Sequence, residues 1–164
     1  NLPAISGASL TGVTGKIVQV VNTQTGAVAT GTTVISVDNT IPQNTEGNEW
    51  FSLAITPTNA SNKLLIEVNC YQAHTATGVV IGFALFQDST ADALGATGFT
   101  MTSANYDSFT SLTHYMTAGT TSATTFKVRG GGHQAGTTTF NGSSANQKYG
   151  GVYASTITIT EIAV

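Results

Sequence analysis

Lys63-Leu64-Leu65-Ile66-Glu67-Val68-Asn69-Cys70-Tyr71-Gln72-Ala73 decides the fold. Leu64, Ile66, Val68 and Cys70 point one way; Leu65, Glu67, Asn69 and Tyr71 point the other. That period of two is what a half-buried strand requires. The same period runs outward in both directions. Upstream, residues 16–22 make a first strand, and residues 32–41 read as a second after Gly26 and Gly31. Pro42 and residues 43–49 form a polar loop. Phe51, Leu53 and Ile55 then share a face opposite Trp50, Ser52 and Ala54, until Pro57 stops the strand. Downstream, strands are predicted near 97–104, 108–117, 122–129 and 137–141. Gly130-Gly131-Gly132 reads as a loop between the last two. A β-branched strand at 152–162 closes the chain. The best helix candidate, 90–96, is too short to matter. Short strands broken by turn residues predict an all-β fold, an antiparallel β-sandwich of jelly-roll type.

One strand breaks the alternation. Val79, Val80, Ile81, Phe83, Ala84, Leu85 and Phe86 are apolar on both faces. A sandwich strand normally keeps one wet face, so the second face calls for cover by another element or another subunit. The expectation drawn here is a homotrimer whose axis is lined by Val80, Ala84 and Phe86, since an open apolar face is prone to aggregation.

Composition narrows the function. The chain has 164 residues, enough for one domain with a real core. Only 8% of residues are charged, against ~25% in ordinary soluble domains. Thr, Ser, Asn, Gln and Gly supply the polarity, which suits an exterior surface. A net charge of −3 with 5 scattered Lys and Arg residues argues against nucleic-acid binding. No apolar run reaches the ~20 residues of a membrane span. Cys70, the one cysteine, reads as a small buried hydrophobe.

The leader Asn1-Leu2-Pro3-Ala4-Ile5-Ser6-Gly7-Ala8-Ser9-Leu10-Thr11-Gly12 sets Leu2, Ile5 and Leu10 among Pro and Gly. A lone extended strand cannot bury those three side chains, whereas identical copies side by side can. Residues 1–15 therefore read as the end of a multi-chain shaft and residues 16–164 as its head. The leader resembles the Leu-Pro-x-x-x-Gly-x-x-Leu-Thr-Gly segments before the C-terminal heads of bacteriophage tail fibres and related virion proteins. The body agrees: Ile55-Thr56-Pro57, then Ser61-Asn62-Lys63-Leu64-Leu65-Ile66-Glu67-Val68, and the closing Thr156-Ile157-Thr158-Ile159-Thr160-Glu161-Ile162, are similar to such heads. The resemblance implies a homotrimeric sandwich like tumour-necrosis-factor and complement-C1q heads, joined upstream to the rest of a fibre or virion. Residues 88–150 match no pattern of that family, and binding surfaces sit on variable loops.

Catalytic constellations are absent from the sequence. There is no Gly-x-Ser-x-Gly elbow, zinc-binding His-Glu-x-x-His or phosphate loop. His74, His114 and His133 lie on separate segments and read as surface or edge residues. Asp88 and Asp92 fall short of a calcium shell, and Glu46 with Glu49 lacks the apolar wall of a glycosidase pair. No catalytic residue, metal or cofactor is expected. The aromatics Trp50, Tyr71, Tyr106, Tyr115, Tyr149 and Tyr153 suit sugar stacking or subunit packing; Trp50 and Tyr71 favour packing. Tyr106, Asp107, His114, Tyr115 and Tyr149 are the expected receptor contacts, toward a host surface glycan or protein, with no membrane insertion. The expected function is a virion-exterior fibre head for host attachment, the ending at Val164 favouring a distal tip. The alternatives are a decoration or capping domain without a receptor, and a polysaccharide depolymerase tip.

Overall fold

The computed structural model describes residues 16–164. The expected shaft at 1–15, with Leu2, Ile5 and Leu10, lies outside the described residues. The strands are β1 (Ile17–Thr25), β2 (Ala29–Gly31), β3 (Asn48–Ile55), β4 (Lys63–His74), β5 (Val80–Gln87), β6 (Gly95–Thr100), β7 (Ser108–Thr117), β8 (Thr124–Gly132), β9 (Thr138–Phe140), β10 (Gly142–Ser143), β11 (Asn146–Gln147) and β12 (Ser155–Ile162). One sheet runs β1-β12-β4-β7, with β9 and β2 continuing from the end of β4; the other runs β3-β8-β5-β6. Every pairing is antiparallel. Setting aside the short strands β2, β9, β10 and β11, the first, eighth, third and sixth strands form one sheet. The second, seventh, fourth and fifth form the other. That winding is a jelly roll.

The alternation read at β4 fills the core. Leu64, Ile66, Val68 and Cys70 meet Ile157 and Ile159 of β12, and across the sandwich Phe83, Leu85, Phe126 and Val128, all buried. Burial pushes the Cys70 thiol well above its usual range. In the β1–β12 ladder Ile17 pairs with Ile162 at one end and Thr25 with Ser155 at the other.

Four expectations are corrected. First, residues 32–41 are not a strand; only Ala29–Gly31 pairs, with β9. The following segment crosses the outer side of the second sheet, where Ile35 N–H donates to Gly132 O at 3.1 Å. Second, that segment is what covers β5. Ala84 and Phe86 are 0% and 1% exposed, packed with Ile35 and Ala93. They are not available to line a trimer axis, and Val80 is half-buried beside them. The second apolar face has its cover within the chain.

Third, the glycine run lies inside β8, where Gly131 pairs with Gly82 and Gly132 with Ile81. Both neighbouring layers approach too closely for side chains. A Cβ on Gly130 would stand 2.6 Å from Trp50 Nε1, one on Gly131 2.5 Å from Thr33 O, and one on Gly132 2.7 Å from the His74 ring. Fourth, Trp50 does not point away from Phe51. A bulge lets Glu49 pair with Arg129 and Phe51 with Val128, leaving Trp50 as the extra residue. Both rings therefore turn inward onto Phe140, with centroids 5.4 and 5.5 Å away. Trp50 Nε1 donates to Gln72 Oε1 at 2.9 Å, so the indole polar atom is satisfied.

Near the end of β12, Glu161 is fully buried and, among the described residues, pairs with no cation. Its Oε1 accepts from Thr58 N–H and Oγ1 (both 2.8 Å), Asn62 Nδ2 (2.6 Å) and Asn59 N–H (3.4 Å), and its Oε2 from Gln19 Nε2 (2.6 Å). This carboxylate explains the Pro57–Asn62 turn: the polar residues between two strands converge on one acceptor.

Candidate functional site

At the Thr25–Ser155 end of the first sheet, four aromatic rings meet. The β4–β7 register sets Tyr71 beside Phe109, with ring centroids 5.0 Å apart. Tyr153, just before β12, packs on Tyr71 at 4.0 Å, and Tyr149 follows at 6.1 Å from Tyr153. Phe109 is 53% exposed and Tyr149 80%, so the cluster opens to solvent rather than into the core. Tyr153 is half-buried. Burial first, then the charge of nearby Asp107, pushes its hydroxyl up to about 12, which keeps it a neutral donor.

The loop that carries Tyr149 is firmly set. Asn141 Nδ2 donates to Thr25 O at 2.7 Å and Ala27 O at 3.1 Å, while its Oδ1 accepts from Ser155 N–H and Oγ. Ser143 Oγ donates to Asn105 O at 2.6 Å, tying this loop to the one before β7. Tyr149 itself has φ of 45°, a left-handed backbone that costs an aromatic residue about 1–3 kcal/mol. The surroundings thus hold an exposed ring in an unfavourable conformation, a pattern that concentrates at binding sites. Beside it, Lys148 Nζ pairs with Asp107 Oδ2 at 3.2 Å. Asp107 Oδ1 is buried and has no hydrogen-bond partner.

Of the five residues expected to contact a receptor, the structure brings Asp107 and Tyr149 together through Lys148 and Tyr153. Tyr106, 58% exposed, adjoins Asp107 on the rim. His114 and Tyr115 lie elsewhere. Tyr115 pairs with Leu65, six residues along β7 from Phe109, or ~20 Å at the usual strand rise. His114 turns to the other face, its Nδ1 4.0 Å from where a Cβ on Gly95 would stand. Sequence reading missed Phe109 and Lys148. The signal for Phe109 was its outward place in an alternating strand, but only the register shows that it meets Tyr71.

The other candidate groups have structural work. Asp88 accepts from Thr124 Oγ1 and Thr125 N–H at 2.8 and 2.7 Å, while Asp92 accepts from Gln43 Nε2 at 2.9 Å. Glu49 pairs with Arg129 at 3.4 Å. Glu46 accepts from Gln43 N–H at 2.8 Å. Partial burial acts to raise its pKa, but hydrogen bonds from Ser36 and Gln43 outweigh that and hold it below the usual value. Among the described residues, no three His, Cys, Asp or Glu side chains gather as metal ligands. A groove of about 330 Å³ lies on the opposite sheet, between Val37 and Pro42 on one side and Val80 and Gly98 on the other. Contrary to the edge reading, His74 is buried, 1% exposed.

The fold and the site define an antiparallel jelly-roll domain with an exposed aromatic rim. No family model matches the sequence, and no curated protein matches it. Solved structures with similar folds include the dimeric latent PorU of Porphyromonas gingivalis, at 9% identity and a TM-score of 0.44, covering 93% of this chain and 14% of that one. A chain from the infectious bursal disease virus Gx strain gives 14% identity and 0.40, covering 99% and 45%. The C-terminal domain of EclA, a sugar-binding protein, gives 14% identity and 0.36, covering 86% of each chain. The chain thus spans less than half of the first two structures. Likenesses this distant carry no argument about function.

Proposed function

We propose that this domain is a virion structural protein, the homotrimeric head of a phage fibre, and that its aromatic rim contacts a glycan on the host surface. The observation that carries the reading is Tyr149, an 80% exposed ring fixed by a satisfied loop beside three other aromatic rings. Such rings stack on sugar faces while neighbouring polar groups bond hydroxyls. The resemblance of the leader and of the Ile55–Val68 stretch to fibre heads supports the virion assignment.

Homotrimer formation stays in the proposal with its interface moved. One row across the first sheet reads Val20, Thr160, Leu65, Tyr115. Val20 and Tyr115 there are 55% and 57% exposed. This outer face, rather than that of β5, offers apolar area to neighbouring copies. Light scattering at micromolar concentration is expected to return a trimer; a monomer overturns this part of the reading.

Tyr149→Ala is expected to weaken adsorption to host cells about tenfold or more, as loss of an exposed aromatic anchor does, with repeated copies amplifying the change. Its melting temperature should stay within about 2 °C of the parent, because the ring buries little area. With so few charges, adsorption should hold nearly constant between low and high salt. Unchanged adsorption in a folded Tyr149→Ala protein removes the rim from the reading. Failure of the parent protein to adsorb to any host favours a decoration or capping domain. Release of reducing sugar from host polysaccharide favours a depolymerase.

A further inference from the structure

Two imidazoles meet at the rim end of the sandwich, and both use the same atom in the same way. His74, the last residue of β4, accepts the N–H of Ala76 on Nδ1 at 3.1 Å; His133, just after β8, accepts the N–H of Val80 on Nδ1 at 2.9 Å. A neutral imidazole has one acceptor nitrogen, so each ring carries its proton on Nε2. These bonds bracket the 75–79 connection between β4 and β5. His133 N–H also donates to Val80 O at 2.9 Å, extending the β5–β8 ladder by one step. The backbone carbonyl of His74 accepts Asn105 N–H at 2.7 Å. Asn105 has φ of 56° and directly precedes Tyr106 and Asp107.

We infer that His74 and His133 form a proton-operated latch: protonating them releases the 75–79 connection and, through Asn105, loosens the loop that carries Tyr106 and Asp107. The inference rests on the reading of the rim as the contact surface and adds its regulation by pH. Adding a proton at Nδ1 turns the acceptor into a donor facing a backbone N–H, so the bond is lost and two donors oppose each other. Nothing nearby compensates. Val79 and Val80 of the β5 end, Gly132 of β8, and Gly136 and Thr138 around the start of β9 carry no titratable group. On the 101–107 segment, Tyr106 is exposed, and Asp107, paired through Oδ2 with Lys148 and with Oδ1 unpartnered, is not among the groups that shift His74. The charged group that acts on His74 is His133 itself, and two imidazolium rings repel. Close packing allows no easy retreat, since a Cβ on Gly136 would stand 2.8 Å from His74 Nε2.

The direction of the pH effect follows. Burial first, and then His133, hold His74 below the usual imidazole value. The unfolded chain therefore binds more protons near pH 6 than the folded one. The contribution is complete above the unfolded value of about 6.5 and is lost as pH falls through the lower folded value.

Amide hydrogen exchange on the assembled protein at pH 7.5 and 5.5, corrected for intrinsic rates, tests the latch. The Ala76 and Val80 amides should lose protection at pH 5.5 relative to pH 7.5. The Leu64 and Ile157 amides should not. His133→Asn places an amide oxygen where Nδ1 stood, so Val80 should keep its protection at both pH values. Host adsorption should fall at pH 5.5 for the parent and less for His133→Asn. Equal protection of Ala76 and Val80 at the two pH values overturns the latch, whatever adsorption does. Lost protection with unchanged adsorption overturns the coupling to the rim. If the parent adsorbs at neither pH, the glycan reading fails while the exchange data still decide the latch.

Discussion

Glu161→Ala is expected to cost roughly 3–5 kcal/mol and to lower the melting temperature by about 10 °C. The carboxylate is the common acceptor for the donors of Gln19, Thr58, Asn59 and Asn62. Removing it takes that shared acceptor from all four residues and empties a buried site. Asn62 is buried and Gln19 half-buried, while Thr58 and Asn59 reach solvent, and each buried donor left unsatisfied costs about 1–3 kcal/mol. Glu161→Gln keeps the shape but turns one oxygen into a donor, so it should fall between. The same residue sets an acid limit. Burial acts to raise its pKa, but hydrogen bonds from Asn62, Gln19 and Thr58 outweigh that and bring it to about 2, against the ordinary carboxyl value of 4.5. The folded carboxyl thus holds its proton less tightly than the unfolded one. Its contribution, roughly 3 kcal/mol by that gap, is present above pH 4.5 and is lost as pH falls through about 2. Melting curves between pH 7 and 2 should show this slope in the parent and a flatter one in Glu161→Gln. Parallel slopes sink the argument.

Gly130→Ala is expected to destabilise by about 3 kcal/mol, at the upper end for overpacking. The new methyl would stand 2.6 Å from Trp50 Nε1 and 2.9 Å from the backbone oxygen of Gly82. The second of these is held in a sheet and cannot step aside. The indole must therefore give way, breaking its bond to Gln72 and its stack on Phe140. Trp50 is the single tryptophan, so its emission reports the shift directly, and the urea midpoint reports the cost. A native-like spectrum with an unchanged midpoint would show that this layer has slack.

The two substitutions mark what the sequence could and could not show. The β4 pattern Leu64–Cys70 and the β-branched run of β12 fixed the sandwich, because each strand's apolar face has a partner at period two. Residues 32–41 alternate as well, yet they form no strand. Ile35 is apolar because it roofs the outer side of β5, a contact with no local signature. Ala84 and Phe86 read as axis residues for the same reason: the pattern demands a cover but does not name it. Gly130 to Gly132 looked like a loop because flexibility and close approach draw on the same residue. At the rim, Asp107 and Tyr149 stood out by type and by lying in the unmatched stretch. Tyr115 looked equally suitable, but strand length carries it to the far end of the sheet. Phe109 was silent until the register placed it against Tyr71.

The β1–β12 register also gives the domain a direction. Ile17 and Ile162 pair at one end, where Ala163 N–H donates to Lys16 O at 2.8 Å, while Thr25 and Ser155 adjoin Tyr153 and the rim at the other. Eight steps of strand separate them, ~27 Å at the usual rise. The described chain therefore enters the sandwich at Lys16 and leaves its last strand at Ile162 on the side away from Tyr149. A tether running straight from Lys16 or Ile162 to a surface would turn the aromatic rim outward.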